Sequence, residues 1–425
     1  MSNASIVHKH ISEQFALQSL KWGYQSLPSK DILLNKEVTP FFTFSPMLNV
    51  LDIFLNGQEE TPRSISQLCV RSMGKVKISH NPIVTNFQKL FALYNFQPER
   101  LDHYVGFVHD FLIESLGLVK ERFYWQIASD NESMMRIVRA HGFTNIISSV
   151  KEQLICKIPE LTQEAIYVKI LYHYNGGLIP ITNLVLIGQK GEISMLDSAF
   201  FYDRLLFILE GVESFFETEN YRPVAECLDK LYPNLPKPDL RVLGSSLRLA
   251  TALMLTGLQP GPKKAEYVLR KLIREISTIL MQHELEPTNF HWEKMSSAML
   301  KSLYEYEPDL FRGEIIEQDQ MVKVFQNEFI SFAKNVGAQT KRLVKTLKSR
   351  ARLEVCFEEI KDLHGTYGIP VELIEKMCKQ YGFSCEEDPE VVGYKSKQLP
   401  YPFPECRNPN FDPIAWFKQS RFTVS

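Results

Sequence analysis

Two tight-turn signals lie between residues 166 and 198. Ile166-Tyr-Val-Lys-Ile-Leu-Tyr-His-Tyr174 stops at Asn175-Gly-Gly177, and Ile181-Thr-Asn-Leu-Val-Leu-Ile187 stops at Gly188-Gln-Lys-Gly191. Asn-Gly and Gly-flanked two-residue loops tolerate the positive φ that a hairpin turn needs, so consecutive apolar runs joined by them must pair antiparallel. A third strand, 192–196, runs into Phe200, Phe201, Leu205, Ile208, Leu209 and Val212, a 3.6-residue periodicity that predicts a helix lying on that sheet.

The remaining chain reads as α+β followed by all-α. Residues 1–25 predict a helix, Pro40-Phe-Phe-Thr-Phe-Ser-Pro46 a β-favouring stretch, and Met47, Leu48, Leu51, Phe54 and Leu55 a further helical pattern. Three prolines in Tyr232-Pro-Asn-Leu-Pro-Lys-Pro238 cannot sit inside a helix or central strand, so a boundary is expected there. Beyond it, apolar stripes run through Leu240, Leu243, Leu247, Ala250 and Met254, and through Leu269, Leu272, Ile273, Ile276, Ile279 and Leu280. More helices are expected over 287–306, 319–357 and 371–381, and the Pro-rich tail from 400 to 413 should be extended. The expected organisation is 1–232, 239–395 and a tail at 396–425.

With 425 residues, 44% of them hydrophobic, the chain can bury a full core. Its formal charge of −2 predicts no global attraction to nucleic acid or anionic lipid, so any such attraction must be local. No run of about 18 apolar residues predicts a membrane span. The start has no signal-peptide layout. The cysteines at 69, 156, 227, 356, 378, 385 and 406 include no CxxC, and the ten histidines form no HxxxH or HExxH pair. A reducing, cytoplasmic setting with no metal centre is the expectation.

Four segments resemble the N-terminal half of alanyl-tRNA synthetases. They are Ser66-Gln-Leu-Cys-Val-Arg71 with Gly74-Lys75; Thr182-Asn-Leu-Val-Leu-Ile187 followed by Leu196-Asp-Ser-Ala-Phe-Phe-Tyr-Asp-Arg204; Leu240-Arg-Val-Leu243 with Leu247-Arg248 and Tyr267-Val-Leu-Arg-Lys-Leu-Ile-Arg274; and Thr366-Tyr-Gly-Ile-Pro-Val-Glu-Leu373. The resemblance covers roughly residues 10–385 and stops before the family's editing and oligomerisation domains, so a monomer or weak dimer is expected. It implies a class II synthetase-like antiparallel sheet flanked by helices, followed by an all-α helical tRNA-binding domain.

It also assigns roles. Asp197 matches the aspartate that holds the substrate ammonium, Asn183 a neighbouring polar group, and Met47 and Arg71 complete the substrate-binding set. Lys75, Lys89 and Arg204 are the phosphate-binding candidates, with Arg71 and Lys75 placed to receive terminal phosphates of a tRNA. Capping of the following helix is the other reading of Asp197, and a helix-surface arginine that of Arg204.

Departures from the family pattern fall on the ATP side. Asn86 stands where the family has the arginine that neutralises charge at the α-phosphate, and Lys89 is the nearby substitute, a point charge without the guanidinium fork. Ala199 and Phe201 replace two glycines that let adenine approach the backbone, and the Phe201 ring would fill that space.

Basic stripes oppose the apolar ones: Arg241 with Arg248, Lys263 with Arg270 and Arg274, and Lys341, Lys345 and Lys348 with Arg352. Such stripes can track an RNA backbone through phosphate contacts. Where the family has the asparagine that reads the tRNA identity pair, this chain has Pro260-Gly-Pro-Lys-Lys-Ala-Glu266, and Ser246 replaces the family histidine. The expected function is binding of an aminoacyl-tRNA and transfer of its aminoacyl group to a small-molecule or protein acceptor, with no cofactor. His80 and His173 are the general-base candidates by residue type. An ATP-dependent ligase for alanine or another small amino acid, and a non-catalytic sensor of amino acid or tRNA, are the alternatives.

Overall fold

The computed structural model describes residues 4–386, apart from 57–60, 72, 97–99, 157–163, 190–191, 312–315 and 350–353, together with 389 and 392. Arg352 and the tail from 396 lie outside the described residues.

Nine strands form one sheet: β1 (Gln25–Ser26), β2 (Arg63–Val70), β3 (Phe87–Asn95), β4 (Phe123–Ala128), β5 (Ile146–Ser149), β6 (Ile155–Cys156), β7 (Glu164–Tyr174), β8 (Gly177–Gln189) and β9 (Glu192–Phe201). The order is β1-β2-β3-β9-β8-β7-β4-β5, with β6 on β7. The central six, β2-β3-β9-β8-β7-β4, are antiparallel throughout, and β1 and β5 add parallel edges. Asn175 and Gly176 have φ of 45° and 77°, the pair of left-handed residues that closes β7 onto β8.

Helices in the first half are α1 (Ala4–Lys21), α2 (Leu51–Asn56), α3 (Lys75–His80), α4 (Leu101–Val108), α5 (Glu132–Ala140) and α6 (Tyr202–Glu210). Then follow α7 (Arg222–Leu231), α8 (Lys237–Leu255), α9 (Lys264–Gln282), α10 (Trp292–Tyr306), α11 (Gln318–Lys348), α12 (Phe357–Tyr367) and α13 (Val371–Gln380), with a small ribbon β10 (Glu354–Val355) and β11 (Ser384–Cys385). Gly368-Ile-Pro370 separates α12 from α13: Gly368 takes the left-handed cap at φ 65°, and Pro370 precedes the next helix.

Strand alternation divides the burial. Phe91, Leu93, Val168, Ile170, Leu184, Leu196 and Phe200 face the main core under α1, α4 and α6. Ile65, Ala92, Tyr94, Val185, Ile187 and Met195 face the other way, packing with Met47 and Val50.

Several expectations shift. Phe200 and Phe201 end β9 instead of starting the helix, because cross-strand partners on β3 and β8 extend the ladder through them. The aromatic run at 40–46 makes only a bridge between Leu33 and Phe42. The long helix stops at Lys348, and Glu354 and Val355 are already extended. Across the expected boundary at 232–238, Val70, Ile78, Val84 and Phe87 share one apolar cluster with Val224, Leu228, Val242 and Leu243, so α7 to α11 pack on the sheet through a common core.

Candidate functional site

Asp197 is in the middle of β9, opposite Tyr94 on β3 and Val185 on β8, five residues before α6 starts. The capping reading is thereby corrected: α6 follows Phe201 and has no side-chain cap. Burial alone pushes the Asp197 carboxyl up to about 7, with no cation to offset it. Its surroundings are Tyr94, whose hydroxyl is fully buried without a partner, and Tyr167, whose ionisation is disfavoured by burial and then by Cys156 and Asp197. Asn183, opposite Ala199 on β9, lies on the same face and has a buried Oδ1 without a partner. Met47 packs beneath, against Tyr94 and Val185. A half-buried carboxylate, flanked by unpartnered polar atoms and with no countercharge among the described residues, is an environment that an ammonium would complete.

Basic residues gather at the end of the sheet where β2 and β9 stop. Arg71 follows β2 and donates to the Phe44 carbonyl at 2.8 Å. Arg204 is in the first turn of α6 and donates to the Pro180 carbonyl at 2.6 Å. Burial, with Arg71 next in effect, brings Arg204 down to about 10. Lys77 on α3 is lowered by burial and then by Arg204 and Arg71, which places it in the same cationic group. Sequence reasoning missed Lys77, because a lysine on a six-residue helix carries no pattern that marks it as half-buried. Arg204 is not a helix-surface arginine: it is 9% exposed, and its guanidinium lies 4.0 Å from the centre of the Phe201 ring.

Two phosphate candidates are elsewhere. Lys89 alternates onto the opposite face of β3 and pairs with Glu307 at 3.2 Å, so it cannot stand in for an arginine at Asn86. Lys75 pairs with Glu372 of α13 at 2.7 Å and ties α3 to the last helices. His80 contacts Ser79 Oγ and the Val76 carbonyl. His173 is six residues along β7 from Tyr167, roughly 20 Å away.

The basic stripes divide likewise. Arg248 is 1% exposed, bonded to the Asn220 carbonyl and to Ser302, close to Glu307, and set against Tyr221. Arg241 donates to the Ser79 carbonyl at 3.0 Å, and Arg270 pairs with Glu328 at 3.3 Å. All three are held by partners within the fold, Arg248 buried and Arg241 and Arg270 half-buried. Arg274 is half-buried against Phe332. Lys263, Lys341, Lys345 and Lys348 are exposed, and Lys334 continues the α11 stripe by one heptad. Among the described residues no helix is long and apolar enough to cross a membrane.

The family model for class II (A) tRNA synthetases matches residues 192–397. The alanine–tRNA ligase of Buchnera aphidicola subsp. Cinara cedri is 21% identical, covering 94% of this chain and 50% of its own length. That of Ehrlichia ruminantium is 23% identical, covering 87% and 45%, and that of Thermobifida fusca 27% identical over a shorter stretch, 45% and 22%. The chain spans about half the length of the curated relatives it matches along most of its own. The apo structure of Staphylococcus aureus histidyl-tRNA synthetase aligns at 11% identity over 53% of this chain and 76% of its own, at a TM-score of 0.34 that carries no weight here. The central six-stranded antiparallel sheet and the match over residues 192–397 make the chain similar to class II aminoacyl-tRNA synthetases. Along most of its length it is similar to the N-terminal half of alanine–tRNA ligases.

Proposed function

We propose that this protein binds an aminoacyl-tRNA and passes the aminoacyl group to a small-molecule or protein acceptor, without activating an amino acid with ATP. The observation that carries this reading is the contrast between the middle of β9 and its C-terminal end. Asp197, in the middle, is a half-buried carboxylate with no cation paired to it among the described residues, open to an ammonium. Phe201, at the strand's end, lies on the Arg204 guanidinium and takes the face that a nucleobase would need. Phosphate binding survives in reduced form: Arg71, Lys77 and Arg204 suit the terminal phosphates of a tRNA. The aminoacyl ester is already activated, so transfer needs positioning above all. The exposed lysines of α11 and Lys263 are the parts of the basic stripes left to follow an RNA backbone.

A second reading, an ATP-dependent ligase for a small amino acid, is favoured by the same cationic group, since three crowded cations suit a polyphosphate. Incubation with a mixture of aminoacyl-tRNAs and amine acceptors tests the first reading. Loss of ester faster than spontaneous hydrolysis, dependent on acceptor and abolished in D197N, is expected. Binding with no ester consumed over hours would instead identify a sensor.

A further inference from the structure

We propose that Lys169 selects the side chain of the bound aminoacyl group, and that the side chain it selects ends in a carboxylate. The proposal rests on the reading that the Asp197 face takes an aminoacyl group.

On β7, Val168 and Ile170 enter the main core, so Tyr167 and Lys169 point to the Asp197 face, where Ala165 and Tyr167 join the Tyr94 and Val185 cluster. Register places Lys169 in a row across the sheet: Gln126 on β4, Lys169, Asn183 on β8, Ala199 on β9 and Ala92 on β3. The adjacent row on that face is Tyr167, Val185, Asp197 and Tyr94. Lys169 is half-buried, and its ammonium lies over the Tyr167 ring, 5.9 Å from the ring centre. No described carboxylate pairs with it, and burial is the sole cause lowering its pKa. Its row neighbours Gln126 and Asn183 each have a buried side-chain oxygen without a partner, while Ala199 and Ala92 leave a low floor beside them.

Among the described residues, one face of the sheet thus holds a carboxylate without a cation and an ammonium without an anion. They are two strands apart and two residues along, about 12 Å between Cα atoms. Neither contributes to the other's ionisation, so they do not neutralise one another. Charges withdrawn from water without partners are costly, and a ligand with an ammonium at one end and an anion at the other satisfies both. In an aminoacyl ester the α-carboxyl is consumed, so the anion must belong to the side chain. The other source of the same chemistry is the α-carboxylate of a free amino acid.

Calorimetric titration of the full chain with α-amides of alanine, glutamine, aspartic acid and glutamic acid, and with free alanine, separates these. The acidic α-amides are expected to bind at least tenfold more tightly than the neutral ones. K169M should erase that advantage without changing the neutral α-amides, K169R should keep it, and D197N should weaken all of them. Equal binding of alanine and acidic α-amides, unchanged in K169M, would overturn the role of Lys169 and leave the ammonium site standing. Tight binding of free alanine that K169M abolishes would assign Lys169 to the α-carboxylate and also overturn the proposal. No binding by any ligand would overturn the Asp197 site itself, and this proposal with it.

Discussion

Asp197 ionises near 3.8 in an unfolded chain and near 7 in the fold, because burial disfavours its charge and no cation compensates. Below pH 4 both states are protonated, and the group contributes nothing to the pH dependence. Between 4 and 7 the fold retains a proton that the unfolded chain has released, and above 7 it bears the full cost of a buried charge, roughly 2–4 kcal/mol. D197N removes that cost, so its urea midpoint should exceed the parent's at pH 8 and match it at pH 4. Equal stability at both pH values would mean that the carboxylate is solvated or paired. Asp197, Asn183 and Arg204 were legible in the sequence because they lie in motif positions. Lys77 and Lys169 were not, since their significance comes from burial and from what the neighbouring strand places opposite them.

The clearest lesson at the scale of elements is α8. Arg241 and Arg248 share a face at seven-residue spacing, as the sequence implied, yet every residue from Val242 to Leu255 is buried, so that face looks inward. Charge periodicity tells which residues share a face but not whether the face meets water. On α11 the same pattern stays exposed, because the apolar side, Phe332, Val336, Leu343 and Leu347, is the one that packs. The triple variant K341E/K345E/K348E should therefore lower tRNA affinity at least tenfold and flatten the slope of log K against log salt by about 2–3, with the thermal melt unchanged. An unaltered salt slope would remove α11 from the interface. The hairpins, α9 to α11 and α13 were legible from turn chemistry and apolar period, whereas α12, Phe357–Tyr367, was not among the expected helices. The lone bridge at 40–46 was not, because aromatic β-preference needs a neighbouring strand to pair with.

At the scale of the whole molecule, the sheet and the helical half are joined by buried charge as well as by their shared apolar cluster. Glu307, 4% exposed, accepts both Lys89 from β3 and Arg248 from α8. Removing the carboxylate leaves two buried cations uncompensated, so E307A should destabilise by about 3–5 kcal/mol in denaturant titration. A loss under 1 kcal/mol would show that water reaches the pair. The two halves should also unfold together, since Val70, Ile78 and Phe87 belong to the same cluster as α8. That union puts the antiparallel sheet and α11 on one apolar core, while Asp197 in the middle of β9 and Phe201 at its end have opposite fates. Amino-acid-dependent exchange of pyrophosphate into ATP, measured with all twenty amino acids, tests this most directly. No exchange above background is expected, and exchange with any one amino acid would contradict the loss of ATP activation.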